Sequence, residues 1–435
     1  MKKILSNAFI HLSGRLFGVF VVLLTTRILS SNLGANNFGR YSTPDYYLWV
    51  FATFLDLGLY LILVRKLSLS KSKQEQETVM SNFLGIRIFA ASVSYFIAIV
   101  LSFFTKYDEQ IITSIVFLSF GHLFVDINQL ICAKFQSDLE LWKLVLGETI
   151  GRIATLILTF VGIKNSLSIP ILIFFTVLGD FLNLITSYIF VSKKISIMLS
   201  FDIKEWKKIF FEALPLGVSM MFILAYNRVS VTILSLVEGK EGRSVGVFGP
   251  AFRIVEFAGI VPQIFMGTIF PELSKKDIKS LKKILVSSLF SFFFLALFGS
   301  IMTQFFSSQI ISILTEGNKD FVSKDIFRLF KKDFEIFGSK SVLNILIFST
   351  IFSYPVSVMN YILVSRGAQK YVTFPSFVGF LTSLVSSIFL IPKLSYLGAV
   401  ISSIITNFFV LLFCILSIVF YLKREEENKV KYEKT

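Results

Sequence analysis

The chain has 435 residues, of which 54% are hydrophobic and 16% charged, with a mean hydropathy of +0.75 and 51 phenylalanines. No soluble globular domain uses so apolar a composition, and a net charge of +15 on such a chain points to basic loops at a membrane surface, not to nucleic acid. The two cysteines, Cys132 and Cys414, both lie inside apolar runs, which leaves no disulfide framework and no cysteine metal site to read.

Apolar runs long enough to cross a bilayer, at about 20 residues each, predict twelve spans: 8–29, 44–64, 79–104, 110–133, 141–163, 168–192, 208–237, 246–271, 280–306, 342–364, 371–391 and 396–421. The fold class expected is an all-α polytopic membrane protein with about twelve transmembrane helices in two parallel six-helix halves around a central cavity. The domains follow as 1–192, a cytoplasmic linker 193–207, 208–421, and a charged cytoplasmic tail 422–435. The opening run, "MKKILSNAFIHLSGRLFGVFVVLLTTRIL", is read as the first span and not as a cleaved signal, because it carries His11 and Arg15 and has no small-residue cleavage site.

Lys and Arg orient the chain, since positive charge is retained on the cytoplasmic side. The amino terminus, the even loops with the first four residues of the spans that follow them, and the tail hold 25 of them and the odd loops 12, half of the latter in the long segment 315–341. Both termini are therefore expected in the cytoplasm.

Beyond the first four residues of each span, which hold Lys143, Lys208, Lys282 and Lys283, six basic residues fall inside spans, and all are arginines: Arg15, Arg27, Arg87, Arg152, Arg228 and Arg253. A charge at membrane depth needs a wet cavity or a partner. The planar guanidinium suits phosphate oxygens in a way that an ammonium does not. Helical spacing places Asn7, His11, Arg15 and Gly18 on one face of the first span, and Gly249, Arg253, Glu256, Gln263 and Gly267 along the eighth. The fourth carries His122, Asp126 and Gln129; the fifth Glu148, Arg152, Thr155 and Thr159; the sixth Asp180 and Asn183.

Polar stripes on so many spans are what a bundle around an aqueous cavity requires. They also fit simple pairing, Glu148 with Arg152 and Arg253 with Glu256. Arg27 and Arg87 stand near span ends, where long side chains snorkel to headgroups. Arg15 and Arg228 have no acid within a turn of their own helices, so they are expected to face the cavity. Lone intramembrane histidines such as His11 and His122 are more often helix contacts than proton relays.

The run "LLTTRILSSNLGANNFGRYS" (23–42) ends the first span in glycines that let the chain turn toward the second. Its "NFGRYS" (37–42) is echoed by "SVGVFG" (244–249), and both precede a basic cytoplasmic loop by some 25 residues. Six spans, a basic loop and six more spans read as a parallel repeat, which places a substrate site between the halves.

Taken with "FLDLGLYLILVRK", "EALPLGVSMMF", "SVGVFGPAFRIVEFAGIVPQIFMGTIFPELSK", "SYPVSVMNYILVSRGAQK" and "IFLIPKLSYLGAV", the chain resembles the oligosaccharide-lipid flippases (Wzx type) of the multidrug/oligosaccharidyl-lipid/polysaccharide exporter superfamily over nearly its whole length. The resemblance implies movement of a polyprenyl-diphosphate-linked glycan, such as an O-antigen precursor, across the bacterial plasma membrane by alternating access. The implied partners are that glycan, membrane lipids and polysaccharide assembly proteins. Its diphosphate would meet Arg15, Arg27, Arg228, Arg253, His11 and Gln263. Asp56, Asp126, Glu148 and Asp180 are the candidates for H+ or Na+ coupling. Many relatives have an aspartate shortly after the arginine of the seventh span, whereas this chain reads "YNRVSV" with Ser230 there. No cofactor is expected, and no glycine-rich Lys-Ser/Thr loop for ATP is present. Two alternatives remain: a cation-coupled multidrug exporter of the same superfamily, and a membrane polysaccharide polymerase or acyltransferase.

Overall fold

The structure, a computed structural model, describes residues 2–56, 58–273, 277–322, 324–329 and 332–432. Helices dominate because each apolar segment must satisfy its own backbone where water is absent. α1 (Lys2–Asp56) and α2 (Leu59–Leu69) open the chain, followed by α3 (Lys73–Ser102), α4 (Glu109–Ser137), α5 (Leu141–Lys164) and α6 (Ile169–Ser192). Then come α7 (Ile203–Glu238), α8 (Arg243–Ala258), α9 (Ile260–Leu273), α10 (Ile278–Thr315), α11 (Gly338–Leu346), α12 (Ser349–Ser365) and α13 (Lys370–Tyr432). Among the described residues, nine helical stretches are long and apolar enough to span a membrane. Two of these are interrupted, Leu12–Leu55 at Gly34 and Lys370–Glu427 at Ser395, and each holds two crossings. The bent pair α11 and α12, at 41°, adds one more to the nine, and with the two interrupted stretches counted as two each the described residues allow about twelve crossings.

The breaks have local causes. Gly34 sits at φ 70°, a left-handed conformation that side chains resist, and it ends the first crossing where the sequence places a turn. The second crossing is not the single helix 44–64: it stops at Asp56, and Gly58 (φ 71°) starts α2. Likewise the eighth expected span divides at Gly259 into α8 and α9. The long segment 315–341 contains an antiparallel hairpin, β1 (Lys324–Leu329) and β2 (Lys332–Phe337), with Phe327 opposite Phe334.

The chain divides into two compact units. The first comprises Met1–Gly217, Glu238–Gly246 and Leu314–Glu316; the second comprises Val218–Val237, Val247–Ile313 and Gly317–Thr435. In the first, one apolar cluster joins α2, α3, α4 and the start of α7 through Leu63, Met80, Leu130 and Ile209, and another joins α1, α3, α4 and α6 through Leu48, Ala91, Ile115 and Ile173. The core of the second runs through Met266, Leu281, Met359 and Cys414. α13 continues as helix through residues 422–432.

Candidate functional site

Within the first unit the polar stripes of several helices meet one another. Arg87 of α3, only 1% exposed, donates from Nη2 to Asp126 Oδ1 at 2.7 Å and to Gln129 Oε1 at 2.6 Å, and from Nη1 to the Leu55 carbonyl at 2.5 Å. That carbonyl belongs to the last turn of α1, where the helix stops and leaves its final C=O groups without helical partners. The arginine supplies the missing donor. Tyr95 Oη completes the set by donating to Asp126 Oδ2 at 2.6 Å.

The sequence reading of Arg87 as a snorkelling residue is therefore corrected. It is buried because two acceptors on α4 and one on α1 surround it, and a guanidinium has enough donors to satisfy all three. Asp126, expected as a coupling carboxylate, is its counter-ion. A buried charge of this kind holds the fold and is costly to leave alone.

One turn along α4, His122 Nε2 lies 3.1 Å from Asp45 Oδ1 of α1. The imidazole is walled by Trp49 and Tyr95, each edge-on to it, at 6.4 and 5.9 Å between ring centroids. Asp180 of α6 lies within electrostatic reach of His122, Asp45 and Arg152. A Cβ added at Gly121 would stand 3.1 Å from Asp180 Oδ2, so the absence of a side chain there makes room for the carboxylate beside α4. Asp180 makes no hydrogen bond or ion pair of its own among the described residues. Two carboxylates around one imidazole are able to hold or hand on a proton or a small cation. Asp45, Tyr95 and Trp49 escaped the sequence reading; the only signal was an aspartate inside the apolar run "PDYYLWVF".

The fifth span contributes Glu148 and Arg152, paired at 3.4 Å as their spacing suggested, each about a third exposed. Gly18 of α1 is the notch that admits this arginine, since a Cβ there would overlap the guanidinium. Arg15, one turn earlier, is exposed and has no ion pair among the described residues. Arg27 is not left to headgroups or a cavity: its Nε lies 3.0 Å from Glu316 Oε1. The side chains of His11 and Asp56 fall outside the described part of the structure.

The glycine-rich end of the first crossing is also accounted for. A Cβ on Gly39 would collide with the Gly242 carbonyl, and one on Gly246 with the Ala35 carbonyl. The two echoed motifs thus meet glycine to glycine, with segment 238–246 packed into the first unit. Small residues four apart let backbones approach this closely.

In the second unit Arg228 of α7 forms an ion pair with Glu256 of α8, and its guanidinium stands 5.4 Å from the centre of the Phe252 ring. This corrects two expectations: Arg228 does have an acid, from a neighbouring helix, and Glu256 serves Arg228 although Arg253 is the closer in sequence. Arg253 is partly buried on α8 and Gln263 is exposed on α9.

The sequence model described as "Polysaccharide biosynthesis protein" matches residues 2–277, the greater part of the chain. The chain belongs to the polysaccharide biosynthesis protein family. Comparison with curated proteins finds no match. Solved structures that resemble this family member include the lipid II flippase MurJ in its inward closed conformation, at TM-score 0.73 and 15% identity over 94% of this chain and 87% of that one. An inward-facing multidrug resistance MATE family transporter of the MOP superfamily follows at TM-score 0.71 and 13% identity, over 97% and 99% of the two chains. A variant of the Vibrio cholerae MATE transporter VcmN aligns at TM-score 0.60 and 13% identity, over 98% and 97%. At such identities the likeness concerns the fold: this member of the family is a multi-pass helical membrane protein built like these transporters.

Proposed function

We propose that the protein is a flippase that moves a polyprenyl-diphosphate-linked oligosaccharide from the inner to the outer leaflet of the bacterial plasma membrane, for cell-surface polysaccharide of the O-antigen kind. Alternating access of two six-span halves, 1–192 and 208–421, with both termini cytoplasmic, would carry the headgroup while the lipid tail stays in the bilayer. No bond is made or broken in this reading.

The observation that carries it, beside family membership, is Arg15: a cation within the first apolar stretch, exposed, and without an ion pair among the described residues. A fixed cation at that depth suits a diphosphate. Arg27 and Arg228 are further candidates for a diphosphate oxygen, each on release of its acid, Glu316 or Glu256. Asp180, beside the His122 and Asp45 pair, has no hydrogen bond or ion pair among the described residues, and it is assigned to H+ or Na+ coupling. Asp126 is assigned to structure.

The test follows lipid-linked glycan in the outer leaflet and protein level together. Arg15→Ala should abolish delivery at normal protein level, and Arg15→Lys should retain part of it because the charge survives while the bidentate fork is lost. Asp180→Asn should remove the ion dependence of transport. Wild-type delivery by Arg15→Ala would refute the arginine role. The second reading, cation-coupled export of small organic cations, is favoured by the likeness to multidrug transporters. It is tested by whether cells carrying the protein extrude a cationic dye.

A further inference from the structure

The break at Ser395 folds α13 back on itself, so that its two arms lie side by side in the second unit. Tyr371 at the start of the first arm stands 6.1 Å from Phe420 and 5.4 Å from Tyr421 near the end of the second, and Phe374 stands 5.6 Å from Phe413. Between the arms runs an open groove of about 450 Å³, within the range of roughly 300–1,000 Å³ usual for small-molecule sites. Its walls are Phe374, Phe413, Leu416 and Phe420. Three of these are exposed, Phe374 by 55%, Leu416 by 57% and Phe420 by 60%.

Its mouth is cationic. Lys370 Nζ lies 5.3 Å from the centre of the Tyr371 ring, and Arg424 Nη1 donates to Tyr371 Oη at 3.4 Å, so that one tyrosine is bracketed by two cations. Lys423 is exposed beside them. Neither Lys370 nor Arg424 has an ion pair among the described residues, whereas Glu426 on the same helix is held by Lys282 at 2.6 Å. Glu427, one turn beyond Arg424, is exposed and makes no such pair with it.

We propose that this groove binds one anionic glycerophospholipid, with the phosphate on Lys370 and Arg424 and an acyl chain along the phenylalanines. Charge complementarity selects an anion, because basic pockets between spanning helices bind anionic headgroups. Length selects the tail. From Arg424 to Phe413 is eleven residues, or about 16 Å of helix, about half of a hydrocarbon core of roughly 30 Å. That is the reach of an acyl chain within one leaflet, while a long polyprenyl chain would overrun the groove. The leaflet occupied follows the orientation proposed above; the binding itself is independent of orientation and of the transported cargo.

The probe is the full chain carrying Phe374→Trp, reconstituted in bilayers that contain brominated phosphatidylglycerol or brominated phosphatidylcholine. Trp49, Trp142 and Trp206 all belong to the first unit, and the wild-type protein measured in parallel subtracts their signal. The expected result is quenching of the added tryptophan at about tenfold lower mole fraction of the anionic lipid than of the zwitterionic one. In the triple variant that also carries Lys370→Gln and Arg424→Gln, both at exposed positions, the preference should vanish while the melting temperature stays that of Phe374→Trp. Equal quenching by the two lipids would overturn the proposal, and that comparison alone decides it if the triple variant fails to fold. A preference that survives loss of both charges would overturn it too. Relief of the quenching by undecaprenyl phosphate at a tenth of the phosphatidylglycerol fraction would assign the groove to an isoprenoid and refute the phospholipid.

Discussion

Buried polar contacts differ in kind between the two units. In the first, they centre on full charges: Arg87 with Asp126, the tyrosine that supports them, and His122 with Asp45. In the second, an ion pair, Arg228 with Glu256, stands beside ties made by hydroxyls, with Ser402 bonded to Ser386 at 2.6 Å and to Ser387 at 2.8 Å, Ser230 to Ser403 at 3.2 Å, and Ser219 to Thr373. Hydroxyl pairs hold helices together without asking anything of the ionic surroundings. A charge network responds to every proton or cation that reaches it. Among the described residues the first unit thus holds the larger share of interhelical charge contacts, and the second the larger share of hydroxyl pairs.

The largest effect that could break this comparison is at Arg87. Arg87→Leu should cost about 3–5 kcal/mol, since it leaves Asp126 buried without its counter-ion. Thermal unfolding of the detergent-purified protein measures it. The double variant with Asp126→Leu should recover most of the loss. If Arg87→Leu melts with the wild type, the network is not structural.

A hydroxyl tie in the second unit should matter less. Ser402→Ala removes a partner from both Ser386 and Ser387 and should cost about 1 kcal/mol, in line with hydrogen bonds between spanning helices. An effect as large as that of Arg87→Leu would erase the distinction between the units.

Smaller still is the clasp beyond the spans where Asp138 receives Lys134 and Lys194, each at 2.6 Å. Burial pushes the Asp138 carboxyl up, but the hydrogen bonds and charges of the two lysines outweigh it and hold it below its ordinary value. Its contribution is present above an unfolded value of about 3.9 and is lost as pH falls through the lower folded one. Asp138→Asn should therefore lower the melting temperature slightly at pH 7, with the gap to wild type closing in acid. A gap that widens in acid would contradict the sign.

The smallest effect is expected at Arg27, whose pair with Glu316 is about half exposed. Arg27→Ala should change stability by less than about 1 kcal/mol, measured by the same melts. A loss of several kcal/mol would show that this pair supports the fold.

The spans were legible because membrane crossing is a local property: some twenty apolar residues suffice, whatever they touch. Glu148 with Arg152 was legible for a similar reason, a spacing of four on one helix. Arg228 with Glu256 was not, because the acid lies 28 positions away and Arg253 offered a nearer partner. Arg87 with Asp126, 39 positions apart, was misread for the same cause. The echo of 37–42 in 244–249 could be read, but nothing in either motif says that Gly39 and Gly246 are mutual neighbours.

By itself, then, the sequence determined that this chain crosses the membrane about twelve times, that its spans are striped with polar groups, and that the cations away from its span ends are arginines. Those are matters of composition and of period along one helix. Which arginine meets which acid, and which side chain is left exposed with its charge, was decided only by the tertiary structure. Ion pairing depends on separations of a few ångströms between different helices, and sequence distance does not encode them.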